Sequence, residues 1–153
     1  MPTAHPPLWT CPKCGKKYVT KNLWHSCVQI PLASHFEGRD PQLRKLFSAY
    51  WKLVRSCGPV MVSVSRTRIE FQARMRFAGV PRIGRDSLTA ALVLVREIKS
   101  PRFSRVEFLA PRYWLYHFKI RSLSDLDDEV KSRMQEAYRV GRQEHLITKS
   151  KKQ

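Results

Sequence analysis

Residues 9–27 read WTCPKCGKKYVTKNLWHSC, and this stretch constrains the fold more than any other. Cys11 and Cys14 form a Cys-x-x-Cys pair with Pro and Lys between them and Gly15 after them. A turn of that kind lets two thiolates reach one metal ion from a single knuckle, at about 2.3 Å each for zinc. His25 and Cys27 follow far enough along for the chain to fold back and close a tetrahedral Cys3His site. Four protein ligands leave no open coordination position, so the expected ion is a structural Zn2+. The segment is too short to bury a core of its own, and a metal staple is what makes it foldable. It reads as a short strand ending at Cys11, a tight turn, a second strand around Lys17 to Thr20, and a helical turn from Asn22. His-x-Cys is a tighter bite than the common His spacing, which leaves His35 as a rival fourth ligand. A thioredoxin-like dithiol is the other reading of Cys-x-x-Cys. That chemistry wants the pair at the start of a helix, whereas Gly15 to Val19 continues as strand. Cys57 reads as a core thiol.

The rest of the chain supplies one core. Asp40 and Pro41 open a helix, Asp40 as the capping acceptor and Pro41 at the first helical position. Leu43, Leu46, Phe47, Tyr50, Leu53 and Val54 recur at three- and four-residue intervals, and Gly58-Pro59 stop the helix. From Pro59 to Arg121 the period changes to two. Val60, Val62 and Val64 make one strand, and Ile69 to Phe77 a second with Arg68, Glu70, Gln72, Arg74 and Arg76 on its other face. Leu88 to Val95 is apolar on both faces, as a covered central strand should be. Val106 to Leu109 and Trp114 to Arg121 follow, with turns expected at Gly79-Val80-Pro81 and Gly84-Arg85-Asp86. Ser124 with Asp127 forms a capping box for a last helix whose apolar stripe is Leu126, Val130, Met134, Ala137 and Tyr138, ending at Gly141. The expected architecture is α+β: a zinc knuckle over residues 1–30, then over 31–146 a helix, a mainly antiparallel sheet of about five strands and a C-terminal helix, and a basic disordered tail over 147–153.

Charge narrows the partner. The chain holds 29 Lys and Arg against 12 Asp and Glu, a formal +17. Residues 59–121 carry 13 basic and 4 acidic residues, and residues 1–34 carry four lysines and no acid, so the excess lies in the folded body. Arginine outnumbers lysine 17 to 12, and its planar fork suits phosphate. Lys16 and Lys17 on the knuckle, with Arg66, Arg68, Arg74, Arg76, Lys119 and Arg121 on the sheet, are the candidate nucleic-acid or anion contacts, because cations interleaved with aromatic and amide groups track a phosphate backbone. The competing function is a domain that binds a small anionic molecule in a pocket between sheet and helices, with Arg68 and Tyr113 inside. Asp86 followed by Glu97-Ile98-Lys99 imitates a nuclease signature, but the two carboxylates flank one strand and stand roughly 36 Å apart at 3.3 Å per residue. No phosphate loop, nucleophile elbow or His-Glu-x-x-His stretch occurs, so no catalytic residue is assigned. No apolar run reaches membrane-spanning length and no secretory signal opens the chain, so the expected location is cytoplasmic.

The segments WTCPKCGKKY, WHSC, SRTRIEFQARMRFAGV, DLDDEVKSRMQEAY and GRQEHL resemble a bacterial family catalogued as domain of unknown function fifty-six fifty-five, from about Trp9 to Leu146. The resemblance implies the same architecture and a bacterial, intracellular setting, and it transfers no catalytic residue. Thr67 and Arg68, in what looks like the family's strand entry, are where it points to a pocket.

Overall fold

A computed structural model of the chain describes residues 5–146, apart from 24, 26 and 29; the basic tail expected over 147–153 lies outside them. The knuckle opens with β1 (Trp9–Thr10) and β2 (Lys17–Tyr18), paired antiparallel. The helix expected from the Asp40-Pro41 signal is α1 (Pro41–Ser56), and the Asp40 side chain accepts from the Gln42 amide as a cap should. Six strands follow: β3 (Met61–Val64), β4 (Ile69–Gln72), β5 (Arg76–Ile83), β6 (Leu88–Leu94), β7 (Arg105–Leu109) and β8 (Tyr113–Ile120). They form one antiparallel sheet in the order β3-β4-β5-β6-β8-β7, and α2 (Asp128–Gly141) closes the domain.

The sixth strand arises where the alternating pattern suggested one long strand. Between β4 and β5 the chain turns at residues 73–75, and the amides of Arg74 and Met75 both donate to the carbonyl of Gly141 at the end of α2. That tertiary anchor overrides a local alternation that runs through unbroken. The turn expected at Gly79-Val80-Pro81 is instead the middle of β5, where the register against β6 shifts between Gly79 and Arg82. A bulge is where a strand tolerates a proline. At the other end, the capping box is Ser122 with Asp125, around a short 3-10 turn, and Asp127 then caps α2 through the Val130 amide. The expected Ser124–Asp127 box has the same spacing two residues on, which is how the start was displaced.

Both helices cover one face of the sheet. Leu43, Leu46, Phe47, Tyr50 and Val54 of α1, with Val130, Met134, Ala137 and Tyr138 of α2, pack on Ile69, Phe71, Phe77, Leu88, Ala90, Leu92, Tyr116 and Phe118, all buried. Among the described residues this layer is a continuous core. Tyr50 reaches deepest: its hydroxyl lies 3.2 Å from the Ala91 carbonyl and 3.4 Å from that of Gly79, beside the bulge. Gly141 lets α2 sit on β5, because a Cβ there would meet Phe77 Cδ1 at 2.6 Å.

Candidate metal centre and basic cleft

The knuckle turn is closed by backbone bonds, the Gly15 amide donating to the Cys11 carbonyl and the Cys11 amide to that of Lys16. Gly15 takes φ +77°, a conformation that costs glycine least. The chain then returns past Leu23 in a turn, where a helical turn was expected, with Asn22 at φ +59°. This brings Cys11, Cys14, His25 and Cys27 together, their ligand atoms all within 4.8 Å of one another. Cys11 Sγ lies 3.8 Å from Cys27 Sγ, His25 Nε2 3.2 Å from Cys14 Sγ and 3.5 Å from Cys27 Sγ. Metal–sulfur bonds of about 2.3 Å in a tetrahedron put neighbouring thiolates about 3.8 Å apart, so the quartet has the size of a tetrahedral Cys3His site. His25 Nδ1 is 2.7 Å from the Leu23 carbonyl. Donation there leaves Nε2 as the free acceptor aimed at the sulfurs, the outer-shell bond that orients a ligand imidazole. Tyr18 flanks the ring with centroids 4.5 Å apart, and Trp9 meets it edge-on.

The thiols are unevenly poised. Backbone hydrogen bonding from Cys14 draws the Cys11 thiol down to about 6 against its own burial, with Lys13 adding to the effect. Burial pushes Cys27 up to about 11, and its neighbours Cys11 and Cys14 push the same way. Adjacent thiols cannot all ionise unless a cation sits among them, and metal ligands bind as thiolates. The four residues are close enough to hold a metal ion. His35, the rival ligand, is engaged elsewhere, its Nε2 2.6 Å from the Ser65 carbonyl. Gly15 leads into β2 and not into a helix, unlike a thioredoxin-type site. Cys57 ends α1 half-buried, its thiol raised by burial.

The knuckle lies on the sheet's other face, the one without helices. Gln72, buried on β4, donates through Nε2 to the carbonyls of Lys17 at 2.6 Å and Arg74 at 3.2 Å. Lys16 Nζ donates to Ser63 Oγ on β3, and the Arg76 guanidinium covers the Tyr18 ring at 5.7 Å. Between knuckle and sheet this seam leaves a cleft of about 550 Å³ lined by His25, Val28, Ile30, Arg66, Arg68 and Arg76, among others. It shares Arg68, Glu70 and Arg76 with a shallower groove of about 110 Å³ floored by Gly79, Pro81, Ala91, Val93 and Leu115 and walled by His117. The groove follows from the register. Glu70, Gly79, Ala91, His117 and Arg105 form one cross-strand row, in which Gly79 and Ala91 carry almost no side chain. Gly79 is required by packing too, since a Cβ there would sit 2.5 Å from the Ile69 carbonyl oxygen.

The candidate cations divide accordingly. Arg66, Arg68 and Arg76 meet at the cleft. Arg76 stands 3.7 Å from Glu70, and its buried Nε has no hydrogen-bond partner among the described residues. Lys17 is exposed on the knuckle, while Lys16 is tied to Ser63. Arg74 leaves the face where the strand breaks: its guanidinium donates to Gln143 Oε1 and the Pro6 carbonyl. Lys119 donates to Thr89 Oγ1 on β6, and Arg121 lies exposed just past the end of β8. Tyr113, expected in the pocket with Arg68, has its hydroxyl 3.1 Å from His145 Nε2 and does not line the cleft. Thr67 and Arg68, where the resemblance pointed to a pocket, both line the cleft; what sequence reasoning missed is its other walls, from the knuckle and the linker residues Val28 and Ile30.

No helix of the described residues is long and apolar enough to cross a membrane. No curated protein and no solved structure matches the chain. A family model does match, over residues 32–141, short of the Trp9 to Leu146 span that the resemblance suggested and with the Cys/His quartet outside it. Those residues are well over half of the chain, which therefore belongs to the family described as Domain of unknown function (DUF5655).

Proposed function

We propose that the chain is a zinc-stabilised accessory protein that binds single-stranded nucleic acid on the open face of its sheet. The observation that carries the reading is the convergence of Arg66, Arg68 and Arg76 on a cleft between knuckle and sheet that runs into a groove with an apolar floor. Guanidinium groups neutralise phosphates and stack on bases, while small apolar residues let a base lie close to the sheet. A double helix is too broad to enter a cleft of this size, whereas a splayed-out nucleotide is not. The formal +17 draws such a strand in from a distance. The ion is Zn2+: three thiolates and one imidazole at tetrahedral spacing suit its ligand preference, and a closed set of four makes its role structural.

Fluorescence anisotropy with a short single-stranded oligonucleotide tests this. Three phosphate contacts give log K against log salt a slope of about −2, and Arg68→Ala should make it shallower by about 0.7. No binding even at low ionic strength would refute the reading. The volume of the cleft also favours a second one, a small anionic metabolite held by the same arginines, since pockets of roughly 300–1,000 Å³ are the usual size for such ligands. In that case a mononucleotide would raise the melting temperature while the oligonucleotide showed no salt-dependent binding.

A further inference from the structure

The sheet ends at β7, which pairs with β8 on one side and has no strand partner on the other among the described residues. Proteins blunt such an edge with charge, proline or a covering loop, because an open apolar edge recruits another strand. Here the edge is apolar where it matters. Phe108 is 52% exposed and Val106 43%, both on the face that the helices occupy, and Phe108 lies against Trp114 with ring centroids 4.8 Å apart. The opposite face of the same strand carries Arg105 and Glu107, 3.3 Å apart, and Glu107 also accepts from His117 Nε2 at 3.0 Å.

We infer that β7 is a self-association edge: two copies of the chain join antiparallel through β7 about a two-fold axis, making one continuous sheet across both. A two-fold axis normal to the sheet keeps both pairs of helices on one side and demands that facing residues have the same parity. The charges then select the register. With Arg105 or Glu107 on the axis, each faces its own copy, and like charges directly opposite destabilise a pair of strands. With Phe108 on the axis, Glu107 faces Leu109. With Val106 on the axis, Arg105 of each copy faces Glu107 of the other twice over, and the two Val106 side chains meet under the flanking Phe108 rings. Only this register pairs every charge on the strand with its opposite. The +17 carried by each chain opposes association, so moderate salt strengthens the dimer, whereas it weakens any nucleic-acid complex.

Analytical ultracentrifugation of the full zinc-loaded chain across the micromolar range, at low and moderate salt and without nucleic acid, tests the inference. A reversible monomer–dimer equilibrium that tightens with salt is expected. Glu107→Arg should weaken it by roughly tenfold or more, by setting arginines against arginines. Val106→Lys should abolish it, and the double swap Arg105→Glu with Glu107→Arg should restore it. Far-UV circular dichroism of each variant separates lost association from lost folding. If Val106→Lys fails to fold, the charge variants carry the test, since Arg105 is exposed and Glu107 only half-buried. A wild-type chain that stays monomeric at moderate salt overturns the inference. So does a Glu107→Arg chain that associates as the wild type does, or a double swap that fails to restore the dimer. Because no oligonucleotide is present, either result leaves the nucleic-acid reading untouched, and failure of that reading leaves the dimer standing.

Discussion

The knuckle and the domain it rests on are held together in opposite ways. In the domain, more than twenty buried side chains form one continuous layer between the sheet and two helices, and burial of that kind contributes about 25 cal/mol for each Å² of apolar surface removed from water. Among the described residues of the knuckle only Cys11 and Tyr18 are buried, the two strands are two residues each, and the Cys/His quartet takes the place of a core. The domain should therefore fold without metal and the knuckle should not. Since the cleft has one wall from each, the proposed binding surface inherits the stability of the weaker wall.

The largest effect expected follows from removing the proposed zinc ion. Apparent binding free energies of structural zinc reach about 10–16 kcal/mol at neutral pH, so a strong chelator, or Cys14→Ser, should unfold residues 9–27 outright. Amide NMR resonances from the knuckle should collapse while those of α1 and β6 persist, and oligonucleotide affinity should fall with the knuckle. Collapse of both sets together would mean that the two regions are one folding unit.

The converse change is Leu46→Ala. Leu46 is fully buried in α1, and truncating such a leucine costs about 2–5 kcal/mol through lost burial and the cavity left behind. Chemical denaturation should show that loss in the domain transition, with metal content by mass spectrometry unchanged.

A smaller change tests the seam. Gln72→Ala removes the amide that joins β4 to the Lys17 carbonyl, at a cost of about 0.5–1.5 kcal/mol for the hydrogen bond lost. Zinc should remain bound, since no ligand is touched, but the knuckle should loosen on the sheet. Affinity for an oligonucleotide should drop while metal affinity holds. An unchanged oligonucleotide affinity would show that the seam does not build the binding surface.

The same contrast explains what the sequence could disclose. Asp40-Pro41 and the stripe from Leu43 to Val54 marked α1, because capping and periodicity are local. The quartet was legible because ligand spacing is local too, and only the choice between His25 and His35 needed the return of the chain past Leu23 and the Ser65 carbonyl that occupies His35. The break between β4 and β5 was hidden, since Arg74 and Met75 keep the alternating pattern while their amides are claimed by Gly141, far along the chain. The cleft was legible only at Thr67 and Arg68, and its other walls were hidden for a related reason. It exists only where the knuckle meets the β3–β4 turn, and no periodicity within one segment reports a seam between two.

The smallest expected effect lies in the domain alone and separates it from the knuckle by pH. Glu136 on α2 is partly desolvated, which raises its carboxyl, but the Arg96 guanidinium grips it at 2.9 and 3.0 Å and Arg133 adds a third contact, so the net shift is downward. A carboxylate whose folded value lies below its unfolded one stabilises the fold above the unfolded value and loses that contribution as pH falls through the folded one. The domain's melting temperature should therefore decline as pH drops below about 4.5, the ordinary range of a glutamate, and Glu136→Gln should flatten the decline by a fraction of a kcal/mol to about 1 kcal/mol, since the pair is partly open to solvent. The knuckle should respond at higher pH, because protons compete with the metal for three thiolates and one imidazole. Thermal melts from neutral pH to well below the ordinary glutamate range, read with metal content alongside, should show the ion leaving first and the Glu136-dependent loss after it. If metal release and domain melting instead track a single curve, the two regions share one stability and the contrast drawn between them fails.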